Sequence, residues 1–162
     1  TLILHNPDSF SPPRDARRAR LRHHGHLPIV SATLNNGQTV WLIIDSGSDG
    51  MVTLPESVLK RWPEVTAVPQ TGSSQSLGVG GRTESTRTWI DAMGLFDLTL
   101  RNLPVAFEPM GQSMRYRGQP VGRMGLRLLK HFRLTFDAPR ETLWVQWRPE
   151  RMPKEKRPKS SN

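Results

Sequence analysis

An acidic residue placed directly after four apolar ones decides the fold, in the stretch Trp41-Leu42-Ile43-Ile44-Asp45-Ser46-Gly47-Ser48. The apolar, β-branched run predicts a buried strand, and a carboxylate at the end of such a strand is costly unless neighbouring groups compensate it. The residues after Asp45 supply a hydroxyl and a glycine whose backbone can approach closely, as a tight loop around a carboxylate requires. Taken alone, the pattern fits a functional aspartate and an ordinary strand-end Asx-turn equally well.

The neighbouring segments predict a hairpin before this stretch and a helix after it. Residues 27–34 and 38–45 are β-branched, apolar-rich runs joined by Asn35-Asn36-Gly37, and Asn-Gly is the strongest short hairpin signal. Thr53-Leu54-Pro55-Glu56 reads as a capping box that opens a helix, which Pro63 ends. The glycine cluster Gly78-Val79-Gly80-Gly81 lies between two polar extended stretches and predicts a mobile hairpin tip.

The rest of the chain adds short strands and one more helix. Helical spacing is predicted for 126–132 and a loop for 108–120, while the strand signals fall at residues 89–93, 96–100, 105–107, 134–136 and 143–147. Six to eight short strands with two short helices predict an all-β fold, a small closed or folded-over β domain.

The order of these parts resembles the retropepsin-like, single-domain aspartic proteases, including their bacterial members. The resemblance covers residues 27–147 and ends in Met124-Gly125-Leu126, which opens a helix. It implies a twofold homodimer of small β-barrels that hydrolyses peptide or protein substrates without a cofactor. By this resemblance Asp45 is the catalytic aspartate and Ser46 the hydroxyl that braces the two loops across the dimer axis. Gly47 would contribute backbone acceptance of substrate, and Ser48 completes the active-site loop. The remaining implied roles are a flap at Gly78, Val79, Gly80 and Gly81, and loop support from Met124 and Gly125.

Elementary acid–base chemistry also favours a dimer. A single carboxylate cannot hold, polarise and deprotonate one water, and the chain has only one Asp-Ser/Thr-Gly. Two copies of Asp45 across a twofold axis solve this. Because two carboxylates about 3 Å apart cannot both ionise, the pair shares one proton, and activity should fall when both are ionised.

Three positions depart from the pattern or extend it. Arg123-Met124 stands where an apolar pair is expected before the late glycine, which puts support of the catalytic loop in question. Asp49 lies where related retroviral enzymes use an acidic side chain to hold substrate backbone or a partner arginine, and a loop-capping role is the alternative. Gly50 replaces the small or β-branched residue often found there.

Composition and charge set the outer limits of the interpretation. The chain has 162 residues, no Cys and a net charge of +9, so disulfide frameworks, zinc ribbons and thiol nucleophiles are excluded. No apolar run is long enough to span a membrane. The basic, Pro-rich segments 1–26 and 148–162 are predicted to be disordered linkers that flank a domain at 27–147. A start at Thr1 and the absence of Cys fit an exported, periplasmic or membrane-tethered bacterial protein.

Other signals are weighed against this interpretation. His23, His24 and His26 lie in the basic extension without a fixed geometry for a metal, so no metal site is predicted. Asp137 lacks the Ser/Thr-Gly and is predicted to be a turn residue. Two other functions stay open: a catalytically inactive dimerisation or binding module with the same barrel, and a basic nucleic-acid binder. The tails lack interleaved aromatic residues, which disfavours specific nucleic-acid recognition.

Overall fold

The structure, a computed structural model, describes residues 3–66, 72–78, 81–109 and 114–148. For 72–83 the description is limited to the backbone of the described residues. The helices are α1 Glu56–Arg61 and α2 Leu126–Leu129, and the strands are β1 Arg17–Arg20, β2 Arg22–His24, β3 Leu27–Leu34, β4 Thr39–Ile44, β5 Val52–Pro55, β6 Gly72–Gly78, β7 Gly81–Leu95, β8 Leu98–Glu108, β9 Arg115–Tyr116, β10 Gln119–Met124, β11 Phe132–Asp137 and β12 Thr142–Trp147. Neither helix is long and apolar enough to cross a bilayer in this described part of the chain.

A closed barrel organises the described strands. Its order is β3-β4-β10-β5-β8-β7, and β7 pairs back onto β3 to close it. The late strand β10 is inserted between β4 and β5, parallel to the first and antiparallel to the second. The end of β10 therefore lies beside the end of β4, where Asp45 follows. The predicted all-β barrel with two short helices is confirmed.

One face of the barrel sheet forms the main core. Leu42, Leu54, Phe107 and Met124 are fully buried there, one each from β4, β5, β8 and β10. Burying a side chain of this size contributes about 1.5–3 kcal/mol. This shared core is what holds the strands around Asp45 in register.

The prediction of a disordered linker before residue 27 is wrong for the strands that lie there. β1 pairs antiparallel with β12 to make a separate sheet of order β1-β12-β11, and β2 pairs with β3. Leu21, between β1 and β2, is 1% exposed and joins the main core. Because alternate residues of a strand face opposite sides, Ala19 and Leu21 pack towards the core while Arg18 and Arg20 are exposed. The folded unit therefore begins before the predicted boundary, while 149–162 lies outside the described residues.

Three predicted element assignments also change. Thr53 does not cap a helix: it lies in β5 opposite Arg123, and α1 begins only at Glu56 after Pro55. Phe96 and Asp97, predicted as strand, form the tight turn between β7 and β8 with φ of 55° and 57°. Within the predicted loop 108–120 the structure has β9 and the start of β10. A partner distant in sequence, Arg123, decides the boundary at Thr53, whereas the other two changes arise in hairpins between neighbouring strands.

Candidate active site

Asp45 continues the pairing of β4 with β10 by one residue. Its N–H donates to the carbonyl of Met124 at 3.0 Å, and its Oδ1 accepts the N–H of Gly47 at 3.0 Å. The carbonyl of Asp45 accepts the N–H of Ser48 at 3.3 Å, which closes a tight turn. The residue is half-buried, whereas Ser46 and Gly47 at the tip of the turn are exposed. A carboxylate with a fixed orientation is thus presented next to an accessible loop tip.

The start of α2 holds the loop that follows Asp45. The N–H of Leu126 donates to the carbonyl of Ser48 at 2.7 Å, and the N–H of Arg127 donates to the carbonyl of Gly50 at 3.2 Å. The N–H of Gly125 donates to the carbonyl of Met51 at 3.0 Å. N–H groups in the first turn of a helix have no partner within the helix, so they are available for these carbonyls.

Gly125 has a specific steric reason to be glycine. A Cβ at this position would lie 2.4 Å from the carbonyl oxygen of Gly50 and 2.8 Å from that of Ser48. Both obstacles are backbone atoms of the Asp45 loop and cannot rotate away. Met124 beside it is fully buried in the main core. The structure therefore brings Met124 and Gly125 directly against the loop that carries Asp45.

The other predicted loop residues differ in exposure. The hydroxyl of Ser48 accepts the N–H of Gly50 at 3.4 Å, so this side chain turns back into the loop. Asp49 is exposed. A Cβ added at Gly50 would make ordinary van der Waals contacts with the hydroxyl oxygens of Ser48 and Thr53, at 3.5 and 3.7 Å.

The predicted flap falls on a β-hairpin. β6 and β7 pair antiparallel from Gly72 opposite Arg87 to Gly78 opposite Gly81. Val79 and Gly80 lie outside the described residues. The hairpin is an extension of β7, a strand that also belongs to the barrel.

Comparisons with known proteins address the family. The sequence model of the aspartyl protease family matches residues 30–125, more than half of the chain, and the match contains Asp45 and Gly125. The chain belongs to the aspartyl protease family. The crystal structure of a retropepsin-like aspartic protease from Rickettsia conorii is similar with a TM-score of 0.55 and 13% identity, over 80% of this chain and 97% of that chain. At this identity the similarity concerns the fold. No curated protein matches the chain in sequence.

The other candidate residues in the sequence are Asp137 and the histidines near the N-terminus. Asp137 is buried, and its carboxylate accepts from Arg140 at 3.1 Å and from the indole of Trp144 at 3.5 Å. It is the last residue of β11, paired with Thr142, so the predicted turn begins one residue later, at Ala138. His23 and His24 lie in β2, and the described residues contain no group of three metal-ligating side chains.

Sequence reasoning missed the partner of Arg123. The guanidinium of Arg123 forms an ion pair with Glu108 at the end of β8. The arginine had stood out as a departure from the apolar pattern, but nothing in the sequence links it to Glu108. That link depends on β5, which lies between β10 and β8.

A buried histidine follows the helix that holds the Asp45 loop. His131 is 0% exposed, with its ring 6.2 Å from that of Trp147. Neither ring nitrogen makes a hydrogen bond of standard geometry to the described residues. Burial lowers the pKa of His131, the cation of Lys130 lowers it further, and the nearby carbonyl of Arg127 acts in the opposite direction.

We expect His131 to make the protein less stable in acid. Because its pKa is lower in the folded state, the unfolded chain binds more protons below the ordinary histidine pKa of about 6.5. Stability contributed by the neutral ring is present above that pH and is lost as the pH falls towards the lowered pKa. Urea unfolding at one protein concentration gives the free energy of unfolding at pH 7.5 and at pH 5.5. This free energy should fall less between the two pH values for His131→Leu than for the original protein. If His131→Leu leaves the difference in stability between the two pH values unchanged, His131 is not the cause of the loss in acid. The same conclusion follows if His26→Leu, at an exposed site, has an equal effect.

Proposed function

We propose that this chain hydrolyses peptide bonds as a homodimer in which the Asp45 carboxylates of two subunits activate one water. The observation that carries the proposal is the half-buried Asp45 at the end of β4, oriented by the N–H of Gly47. Membership of the aspartyl protease family supports peptidase chemistry.

The need for a second subunit follows from the number of carboxylates. The sequence has one Asp-Ser-Gly, and Asp137 is occupied by Arg140 and Trp144. A second copy of the exposed Ser46-Gly47 tip, related by a twofold axis, would bring in the second carboxylate. The exposure of this tip in the single chain supports its use as a contact between subunits.

The proposed reaction uses the one proton that the two carboxylates share. The ionised Asp45 takes a proton from water as its oxygen bonds to the carbonyl carbon, while the protonated Asp45 gives its proton to the carbonyl oxygen. The tetrahedral diol then loses a hydroxyl proton to a carboxylate as the amide nitrogen is protonated and the C–N bond breaks. A carboxylic acid and an amine leave, and the pair again holds one proton.

The neighbouring loop residues take supporting roles in this proposal. Ser46 hydrogen-bonds across the twofold axis, and Ser48 holds the loop through its bond with Gly50. The N–H of Gly47 is committed to Asp45, so its carbonyl is the group offered to a substrate N–H. Exposed Asp49 binds substrate backbone or a cation of the partner subunit.

Two further elements complete the proposed site. The β6–β7 hairpin, with Gly78, Val79, Gly80 and Gly81 at its end, covers the bound peptide as a flap. Met124 and Gly125 keep the Asp45 loop in place through the carbonyl of Met124 and the N–H of Gly125. A flap that closes over substrate would exclude water from the dyad.

Dilution tests this function directly. If each dimer holds one site, cleavage of a peptide library per mole of chain should fall steeply once the protein is diluted below its dimer dissociation constant. Sedimentation over the same concentrations should show the dimer disappearing in parallel. Inhibition by a statine-type analogue of the tetrahedral diol is also expected. A monomer at every concentration with undiminished cleavage contradicts the shared dyad, and a dimer without cleavage favours the binding module.

A further inference from the structure

Asp45 and Arg123 lie on the same face of the barrel sheet. Alternate residues of a strand face the same side, so Ile43 and Asp45 share one face of β4. Ile43 lies directly opposite Arg123 of β10 in the parallel register. The Asp45 N–H bond to Met124 continues this pairing, which puts the Cα atoms of Asp45 and Arg123 about 8 Å apart as diagonal neighbours.

This face carries its own apolar cluster, separate from the main core. Ile29, Ile43 and Val121 are buried in it, and Trp41 and Tyr116 are partly buried against it. The rings of Trp41 and Tyr116 meet edge to face at 4.8 Å. A substrate bound over Asp45 would therefore contact an apolar surface on the β4 side of Arg123.

On the other side of Arg123, towards β5 and β8, the same face carries the charged residue Glu108. The side chain of Glu108 is 10% exposed and that of Arg123 is 35% exposed. Glu108 takes one terminal nitrogen of the guanidinium, and the buried Nε has no hydrogen-bond partner in the described part of the chain. A guanidinium has five N–H donors, so the ion pair leaves donors of Arg123 for another acceptor.

An ion pair at this position needs a reason beyond stability. Replacing a largely buried ion pair by apolar residues of similar volume is often neutral or stabilising. The same face already packs Ile43 and Val121 without difficulty. A charged pair next to the candidate catalytic aspartate is accordingly better explained by what it binds.

We propose that Arg123, held by Glu108, forms a polar specificity subsite that accepts a carboxylate or carboxamide oxygen of a substrate side chain beside the scissile bond. The proposal rests on the peptidase function proposed above and adds the class of peptide that is cleaved. The planar fork of donors on Arg123 suits a carboxylate or amide oxygen, and Glu108 holds that fork in place. The apolar cluster alone would instead select an aliphatic side chain.

Matched peptides that carry Leu, Gln or Glu at one position flanking the cleaved bond test the subsite. We expect kcat/KM for the Gln or Glu peptide to exceed that for the Leu peptide by about tenfold or more, the effect of a hydrogen bond to a charged group. Glu108→Gln removes the charge that competes for Arg123, so it should raise kcat/KM for the Glu peptide relative to kcat/KM for the Gln peptide.

A double variant removes the subsite without leaving a buried charge unpaired. In the double variant Arg123→Met with Glu108→Gln, the ratio of kcat/KM for the Gln or Glu peptide to kcat/KM for the Leu peptide should fall to about one or below. The Leu peptide should still be cleaved. Arg101→Met, which removes an exposed arginine elsewhere on β8, should leave the ratio unchanged.

The two proposals fail in different ways in this experiment. An unchanged ratio in the double variant, or a preference of the original protein for Leu, overturns the subsite while the peptidase stands. Absence of any cleavage by the original protein overturns both. A thermal melt of each variant shows whether it is folded at the assay temperature.

Discussion

Asp45→Asn should reduce peptide cleavage by at least about a thousandfold, because the amide can neither take a proton from water nor share one with its symmetry mate. The substitution keeps the size of the side chain. It also keeps an oxygen that can accept the N–H of Gly47, whose nitrogen lies 3.0 Å from Oδ1 of Asp45 in the original protein. The barrel core does not include Asp45, so the melting temperature should change little. Initial rates on a cleaved peptide and a thermal melt measure the two effects.

A mixing experiment separates a shared dyad from two independent sites. With random assortment, an equal amount of Asp45→Asn should lower the activity of a fixed amount of original protein to about half, because mixed dimers have one carboxylate. Independent sites predict no loss. Asp97→Asn, at an exposed turn whose positive φ asparagine tolerates, is the matched control and should leave activity intact. Full cleavage by Asp45→Asn refutes the proposed mechanism.

Gly125→Ala should impair both folding and cleavage. The added methyl group would lie 2.4 Å from the carbonyl oxygen of Gly50, so the Asp45 loop or the start of α2 must move. Such overpacking destabilises a protein by about 1–3 kcal/mol. Displacing the loop by about 1 Å should lower kcat about a hundredfold in the molecules that remain folded. Urea unfolding and kcat, measured well below the melting temperature, give the two quantities separately.

Two other glycines provide the comparison for Gly125→Ala. Gly94→Ala introduces the same methyl group on β7, where the nearest atom is the Cβ of Thr33 at 3.5 Å, and should be nearly neutral. Gly122→Ala would approach the carbonyl oxygen of Thr53 at 2.4 Å, away from the Asp45 loop. It should lower stability with a much smaller effect on kcat. If all three variants behave alike, the specific role of Gly125 in loop placement is wrong.

The candidate site was visible in the sequence to the extent that it is local. The run that ends at Asp45 predicts a strand and a loop, and the hairpin before it follows from Asn36-Gly37. Its order relative to Gly78 and Gly125 was sufficient to indicate the protease family. The polar surroundings were not visible, since Glu108 reaches Arg123 only through the pairing of β10 with β5 and of β5 with β8.

The clearest error lay in the basic N-terminal segment. Its composition indicated disorder, yet β1 finds a partner in β12, more than a hundred residues away, and Leu21 finds a place in the core. Composition measures how much apolar surface a segment has on average. It does not show whether the folded chain offers an unpaired strand edge and a site in the apolar core to which that segment can bind.

Residue order along the chain was enough to establish the strand, the loop and the acidic group at their junction, because backbone preference and hydrophobic period act over a few neighbouring residues. Folding decided what surrounds that group: the insertion of β10 beside β4, the close approach of Gly125 and the pairing of Arg123 with Glu108. These contacts join residues far apart in sequence, and the register of the closed barrel selects them.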